Sequence, residues 1–173
     1  MSGFYRRIEG QVGANSLPPL DRWSPDFSGD IDIKVDSLGR WFHEGRLIER
    51  NALVALFARI LRREADGQYY LLTPQEKWRI QVADHPLRVV AVDRVVEGAH
   101  ACVRVVVNND LSYKVCVQYP LFLCPNEEGA YVALDYGVTA KLERSAWYQL
   151  CEWVESDSDG LYLASGGEKF RLS

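Results

Sequence analysis

Ile48-Glu49-Arg50-Asn51-Ala52-Leu53 opens a run that closes on Glu76-Lys77-Trp78-Arg79-Ile80, and the chain then repeats it. Leu142-Glu143-Arg144-Ser145-Ala146-Trp147 opens the second copy, which closes on Glu168-Lys169-Phe170-Arg171-Leu172. The offset between the copies is 94 residues at the start, 93 at Asp66-Gly67 and Asp159-Gly160, and 92 at the end. The helices therefore align without gaps, and each following turn loses one residue. Self-similarity of this kind implies a duplicated core.

Within the first copy, Leu53, Leu56, Phe57, Ile60 and Leu61 form one apolar stripe at helical spacing, with Arg59, Arg62 and Arg63 largely off it. Trp147, Leu150, Cys151 and Val154 repeat the spacing. Asn51 and Ser145 have side chains that accept hydrogen bonds from a helix's first free amides, so both are expected to be N-caps. Asp66-Gly67 and Asp159-Gly160 end the helical segments. Paired strands follow: Tyr69 to Leu72 with Lys77 to Val82, and Leu161 to Ala164 with Lys169 to Leu172. Each copy thus reads as a helix followed by a β-hairpin.

Outward from the repeat, residues 1–29 form a loop-rich N-terminal arm with Gly10, Gly13, Asn15 and Leu17-Pro18-Pro19-Leu20, whose prolines keep the chain extended. Trp23 and Phe27 are expected to plug this arm onto the body, or else to be displayed to a partner. Ile31, Ile33 and Val35 alternate with charged residues as in a half-buried strand, and Trp41-Phe42 and Arg46-Leu47-Ile48 continue a small meander. Leu87 to Val96, Ala101 to Val107, Tyr113 to Gln118 and Ala130 to Leu134 supply further strands. Their connections, Asn108-Asn109-Asp110 and Pro125-Asn126-Glu127-Glu128-Gly129 among them, have turn compositions. Short turns favour antiparallel pairing over crossover-linked parallel strands. The expected architecture is α+β: an N-terminal domain over 30–86 and a β-rich C-terminal domain over 87–173, a curved sheet or partial barrel closed by the last helix and hairpin. Nothing near residue 87 is rich in Gly or Ser, so no flexible linker is expected.

The chain has 173 residues, 47% hydrophobic and 25% charged, enough to bury roughly 70% of its unfolded surface. A formal charge of −4 and a pI near 5.4 argue against non-specific nucleic-acid binding, which needs a basic footprint. No run approaches the ~20 apolar residues of a membrane span, and Met1 to Ser16 lacks a signal peptide's apolar core, so a cytoplasmic location is expected. Cys102, Cys116, Cys124 and Cys151 are scattered, without zinc-ligand spacing, and read as free thiols.

No catalytic signature stands out: there is no phosphate-binding lysine loop, dinucleotide-binding glycine pattern or serine elbow. His43, His85 and His100 lie far apart, and no metal or cofactor is implied. Arg50 and Arg144 each precede a helix N-terminus, where free amides and a guanidinium together suit a phosphate or carboxylate. Equally, each arginine can clip to the glutamate of its own copy, Glu76 or Glu168. The clip is favoured for Arg144, whereas for Arg50 both readings stand, because Thr73-Pro74-Gln75-Glu76-Lys77 is more elaborate than a hairpin turn needs. Thr73 offers a hydroxyl, Pro74 a rigid turn and Lys77 a cation for an anionic ligand; ordinary turn chemistry accounts for them as well. Tyr69, Tyr70 and Trp78 can stack a base or fill the core.

Trp23-Ser24-Pro25, Gly29-Asp30-Ile31-Asp32-Ile33, Gly39-Arg40-Trp41-Phe42, Ile48-Glu49-Arg50, Leu53 to Leu61 and Thr73-Pro74-Gln75-Glu76-Lys77 resemble the bacterial family catalogued as domain of unknown function 1285. The likeness is specific over Trp23 to Pro86 and looser afterwards, where Asn108-Asn109 and the terminal helix correspond. The resemblance implies a duplicated core with a C-terminal half superficially similar to pleckstrin-homology folds. It also implies a ligand, nucleotide-like, held between the two halves, and a role in signal transduction. Carried onto this chain, the family's motif positions are Trp41, Arg50, Thr73, Pro74, Glu76 and Lys77. His43, where a tyrosine is expected, and Gln75, where an aliphatic residue is expected, depart from the pattern.

Three functions remain open. The first is a non-enzymatic binder of a small anionic molecule, with Arg50 and Lys77 supplying charge and Trp41 or Tyr70 a stacking wall. The second is a protein-interaction module that docks a partner through a sheet edge or the N-terminal arm. The third is an enzyme acting on a phosphorylated metabolite through Glu76.

Overall fold

A computed structural model describes residues 17–98, 100–124 and 129–172. The expected loop around Gly10, Gly13 and Asn15 and the turn at Pro125 to Glu128 lie outside the described residues. The chain divides into two compact units, one of residues through Pro86 with Tyr136–Val138, the other of Leu87–Asp135 and Thr139 onward. Both are mostly sheet with one α-helix each, an α+β architecture with mixed sheets.

The first unit holds β1 (Phe27–Val35), β2 (Trp41–His43), β3 (Arg46–Leu47), α1 (Asn51–Arg59), β4 (Leu61–Arg63), β5 (Tyr69–Leu72) and β6 (Lys77–Val82). They make one six-stranded sheet ordered β3-β2-β1-β6-β5-β4. The expectation of purely antiparallel pairing fails at its centre, where β1 and β6 run parallel. The hairpin and helix between these two strands serve as the crossover that parallel neighbours require. Register then sorts the side chains. Val35 pairs with both Trp41 and Val82, so Ile33, Val35, Trp41, Ile80 and Trp78 share one face, while Lys77, Arg79 and Gln81 share the other. Phe57 of α1, fully buried, stacks on Trp41 with ring centroids 6.1 Å apart, which lays the helix over the first face. A bulge in β1 lies between Phe27 and Gly29, where φ of +127° requires glycine and the Trp78 ring would lie 3.4 Å from any added Cβ.

Helix α1 is shorter than the apolar stripe. The Ile60 amide turns back to the Phe57 carbonyl at 3.2 Å, and the Ile60 carbonyl accepts the Leu72 amide at 2.9 Å, so the chain is captured into β4. Leu61 is buried either way, which is why periodicity alone reads it as helix. The expected caps also move. Arg50 and Glu143 occupy the N-cap positions and neither caps with its side chain. The Arg50 carbonyl accepts the Leu53 and Val54 amides, which makes Asn51 the first helical residue. Ser145 is the second residue of its helix.

The described part of the N-terminal arm is tied down by Leu20 together with Trp23, one of the two expected plugs. Leu20, in a 3-10 turn, is 0% exposed and packs with Tyr70, Leu72, Trp23 and Tyr136. Arg62 Nη1 donates to the carbonyls of Leu20 at 2.8 Å and Trp23 at 3.2 Å, and Tyr136 Oη donates to the Pro18 carbonyl at 2.9 Å. Phe27, expected as a plug, is half exposed and begins β1.

The second unit contains β7 (Leu87–Glu97), β8 (His100–Val107), β9 (Ser112–Lys114), β10 (Leu121–Leu123), β11 (Ala130–Ala133), β12 (Thr139–Leu142), α2 (Arg144–Cys151), β13 (Val154–Asp157), β14 (Gly160–Ser165) and β15 (Glu168–Arg171). One sheet is ordered β10-β11-β12-β7-β8-β9, again with a parallel pair, β12 and β7. The other is the meander β13-β14-β15. Asn108 locks the edge of this unit: its side-chain oxygen accepts the Arg88 amide at 3.0 Å and its own amide donates to the Arg88 carbonyl at 2.9 Å. Buried Ser165 links the sheets, its hydroxyl accepting from the Val103 amide and donating to the Val115 carbonyl. In both units the helix is followed by three strands rather than by a hairpin alone. Truncating Leu20 to alanine should lower stability by about 2–5 kcal/mol through the cavity it leaves, read as an earlier midpoint in urea unfolding followed by far-ultraviolet circular dichroism.

Candidate functional site

The turn from β5 to β6 spends its hydroxyl on itself. Thr73, 3% exposed, accepts the amides of Gln75 at 3.3 Å and Glu76 at 3.0 Å on Oγ1, and its own amide donates to the Glu76 carbonyl at 2.9 Å. Pro74 sits exposed at the turn. This geometry shapes the approach to Lys77 and leaves Thr73 inside the turn.

Lys77, Arg79 and Tyr70 come together on the sheet face opposite α1, because Tyr70 pairs with Arg79 and Leu72 with Lys77 across β5 and β6. Lys77 Nζ lies 5.1 Å from the Tyr70 ring centre, a cation–π contact, and 3.3 Å from Glu64 Oε2. Arg62 pairs with the same Glu64 carboxylate. Tyr70 Oη donates to Asp66 Oδ2 at 2.6 Å. Arg79 makes a two-pronged bond to Asp30, at 2.6 and 3.0 Å, and lies 5.7 Å from the Phe27 ring centre.

Trp41 and Arg50 are not brought to this cluster. Trp41 is 1% exposed on the helix-covered face, so its ring is a core element. Arg50 is exposed at the start of α1, and no Arg50–Glu76 clip forms among the described residues. The Arg144–Glu168 clip is not made there either: Arg144 donates from Nε to the Tyr148 hydroxyl at 3.0 Å and lies 5.4 Å from that ring's centre. Glu76 sits half-buried at the turn. Among the described residues no group of three or more His, Cys, Asp or Glu side chains could hold a metal ion.

The residues missed in the sequence are the acids and the second cation. A pocket of ≈ 330 Å³ is lined by Asp30, Gln68, Arg79 and Gln81 against Ile31 and Ile80. Arg79 was detectable as the residue that alternates with Lys77 on β6. Asp30, Glu64 and Asp66 arrive from other elements and carry no local signal.

Charge is matched within the cluster. Burial raises the Glu64 carboxyl, but hydrogen bonds from Arg62 and Lys77 outweigh it and hold Glu64 below the usual range. Arg79 lowers Asp30 in the same way. The hydrogen bond to Asp66, aided by burial, pushes the Tyr70 phenol up to about 12.

The same trio recurs in the second copy, 92 residues on, as Tyr162, Lys169 and Arg171. Lys169 Nζ lies 4.2 Å and Arg171 Cζ 5.5 Å from the Tyr162 ring centre. One carboxylate, Asp157, grips both cations, at 2.7 Å from Lys169 Nζ and 2.6 Å from Arg171 Nη1. That copy is closed on itself. In the first copy the acids are separate, and the Asp30 side chain opposite Arg79 is 65% exposed.

The fold and this duplicated cluster define a two-unit α+β protein with a repeated helix-and-meander core. Two family models match successive stretches of the chain: "Domain of unknown function (DUF1285), N-terminal domain" matches residues 18–85, and "Protein of unknown function (DUF1285), C-terminal domain" matches residues 83–172. The chain belongs to the DUF1285 family. A crystal structure of a DUF1285 family protein from Silicibacter pomeroyi DSS-3 is similar with a TM-score of 0.85 at 31% identity, covering 95% of this chain and 91% of that one. A second, from Shewanella baltica OS155, is similar with a TM-score of 0.59 at 28% identity, covering 70% of this chain and 91% of that one. No curated protein matches.

The raised Tyr70 phenol gives a pH signature. Its bond to Asp66 requires the proton, so the contribution to stability is full below pH 10, the ordinary phenol value, and is lost as pH rises through about 12. Tyr119, raised mainly by burial, also lies at about 12. A spectrophotometric titration at 295 nm should show a late component that Tyr70→Phe reduces and Tyr119→Phe reduces further.

Proposed function

We propose that this protein is a non-enzymatic binder of a small, anionic, nucleotide-like molecule, recognised on the polar face of the first unit, with a role in signal transduction. The supporting observation is the exposed Arg79–Asp30 pair on the wall of the ≈ 330 Å³ pocket. A guanidinium held by an exposed carboxylate in a two-pronged geometry presents the same fork to a ligand's phosphate or carboxylate once Asp30 swings away. Gln68 and Gln81 add amide donors and acceptors, and Ile31 adds apolar contact, the mixture that small-molecule sites use. Lys77 contributes positive charge beside Arg79, and Tyr70 a ring that already receives a cation. Thr73, Pro74 and Glu76 set the turn that leads to Lys77. Signalling would follow if the ligand favours one of two states, by no more than its difference in affinity for them. The proposal includes a superficial likeness of the second unit to pleckstrin-homology folds. It also includes a cytoplasmic location, supported by four free thiols.

The test is calorimetric titration of the full chain with adenosine monophosphate and, separately, inorganic phosphate. Arg79→Ala is expected to weaken binding roughly 10- to 100-fold, the loss of a charge-assisted pair, and Lys77→Ala to weaken it less. Equal affinity of wild type and Arg79→Ala for every anion bound would sink the assignment.

A further inference from the structure

Strands β8 and β9 bring two cysteines opposite each other. Their register pairs Arg104 with Lys114, Val105 with Tyr113 and Val106 with Ser112, and the Val115 amide continues it by donating to the Val103 carbonyl at 2.8 Å. The next pair in this ladder is Cys102 and Cys116. Both lie on the face away from the core, because Val103 and Val115, which alternate with them, are buried at 0% and 1% exposure. Each thiol is half-buried. Cys116 has the backbone of a non-hydrogen-bonded pair: its amide and carbonyl bond the carbonyl and amide of Tyr119, at 3.2 and 3.0 Å, rather than β8. Such pairs hold the closest Cα atoms of an antiparallel ladder, about 4.5 Å apart where it is regular, at the near end of the span a disulfide bridges.

The ladder is not regular at this point. Val103 and Val115 would ordinarily exchange two backbone bonds, and the second, the one nearer the cysteines, is replaced. In its place stands Ser165 from the end of β14, 1% exposed: the Val103 amide donates to its Oγ at 2.9 Å, and the hydroxyl donates to the Val115 carbonyl at 2.6 Å. A hydroxyl so inserted holds two strands further apart than a direct bond does. Gly166 follows it past Cys102. Its amide donates to the Ala101 carbonyl at 2.9 Å, and a Cβ added to it would lie 3.6 Å from the Cys102 sulfur. The end of β14 is thus a wedge where the cysteines come opposite.

We propose that Cys102 and Cys116 are a reversible oxidation site, at which hydrogen peroxide forms a disulfide that closes the ladder and drives Ser165 out. One sulfur attacks the peroxide: an S–O bond forms, the O–O bond breaks and water leaves, giving a sulfenic acid. The second sulfur then displaces that oxygen as another water and forms the S–S bond. Two thiols thus give two protons and two electrons to one peroxide. A dithiol reverses the reaction by exchange, and the hydroxyl returns. Disulfides of this kind in a reducing compartment are transient rather than structural, in keeping with Cys102 and Cys116 as free thiols. The site is independent of the polar cluster in the first unit.

The full chain, purified reduced, is treated with hydrogen peroxide, its remaining thiols are alkylated, and it is mapped by mass spectrometry after trypsin and chymotrypsin, since Tyr119 and Phe122 allow Cys116 to be cut from Cys124. A linked pair of peptides carrying Cys102 and Cys116 is expected, and it separates on reduction. In the ¹⁵N-labelled chain the amide resonances of Val103 and Gly166 should shift on oxidation and return with dithiothreitol. Ser165→Ala removes the wedge and, in a glutathione redox titration, should favour the disulfide roughly tenfold, the worth of about one hydrogen bond, or about 30 mV. Thiols left unoxidised, a disulfide joining any other two cysteines or two chains, or oxidation that stops at sulfenic or sulfinic acid overturns the proposal. So do Val103 and Gly166 resonances unmoved by the cross-link, or a folded Ser165→Ala chain with an unchanged midpoint. The resonances decide the matter where that variant does not fold.

Discussion

The parallel register between β1 and β6 is the constraint on which the first unit rests. It brings a strand from the start of the unit beside the strand at its end, and that places Val35 between Trp41 and Val82 on the helix-covered face. Once this pairing exists, α1 has a complete apolar surface to cover and Phe57 has an indole to stack on. It also fixes the opposite face, because Asp30 is delivered to Arg79 by the same ladder. Core and polar cluster are two sides of one register, and a slip by one residue would exchange them.

The repeat itself was legible because it lies in plain residue identities, from Ile48-Glu49-Arg50 to the Lys-x-Arg of the last strands. Long, alternating strands such as Leu87–Glu97 and His100–Val107 were legible for the same reason. The misses were short or non-local. Strands β4 and β10 have three residues each, too few for a period, and the apolar positions of β4 mimic a continuing helix. Parallel pairing leaves no local trace, since it joins segments far apart in the chain. At the candidate site, Tyr70, Thr73 and Lys77 were visible as a turn rich in chemistry. Their acidic partners were not, because Glu64 and Asp30 reach them through three-dimensional pairing.

Duplication followed by divergence explains why similar residues behave differently in the two copies. Tyr, Lys and Arg stack on the meander of each, but Asp157 holds both cations in the second, while Glu64 and Asp30 divide them in the first. Thr73 and Ser165, again 92 residues apart, are both buried hydroxyls; one closes its own turn and the other joins two sheets. The backbone plan was kept, and the side-chain partners were reassigned.

Tyr136–Val138 belongs to the first unit although nearly all the chain around it belongs to the second. Tyr136, in a left-handed conformation with φ of 58°, packs on the Leu20–Tyr70–Leu72 cluster and bonds the Pro18 carbonyl, and Gly137 passes so close to Arg63 that an added Cβ would lie 3.2 Å from its carbonyl. During synthesis the first unit therefore lacks its last piece until the chain has grown some fifty residues beyond Pro86. Cutting the gene at the boundary between the two matched domains would release an N-terminal fragment with an uncapped apolar cluster, prone to association. The two halves are separate as sequence families, yet the first unit is completed by three residues from well beyond Pro86, and that closing contact is non-local, which slows folding in chains of this size.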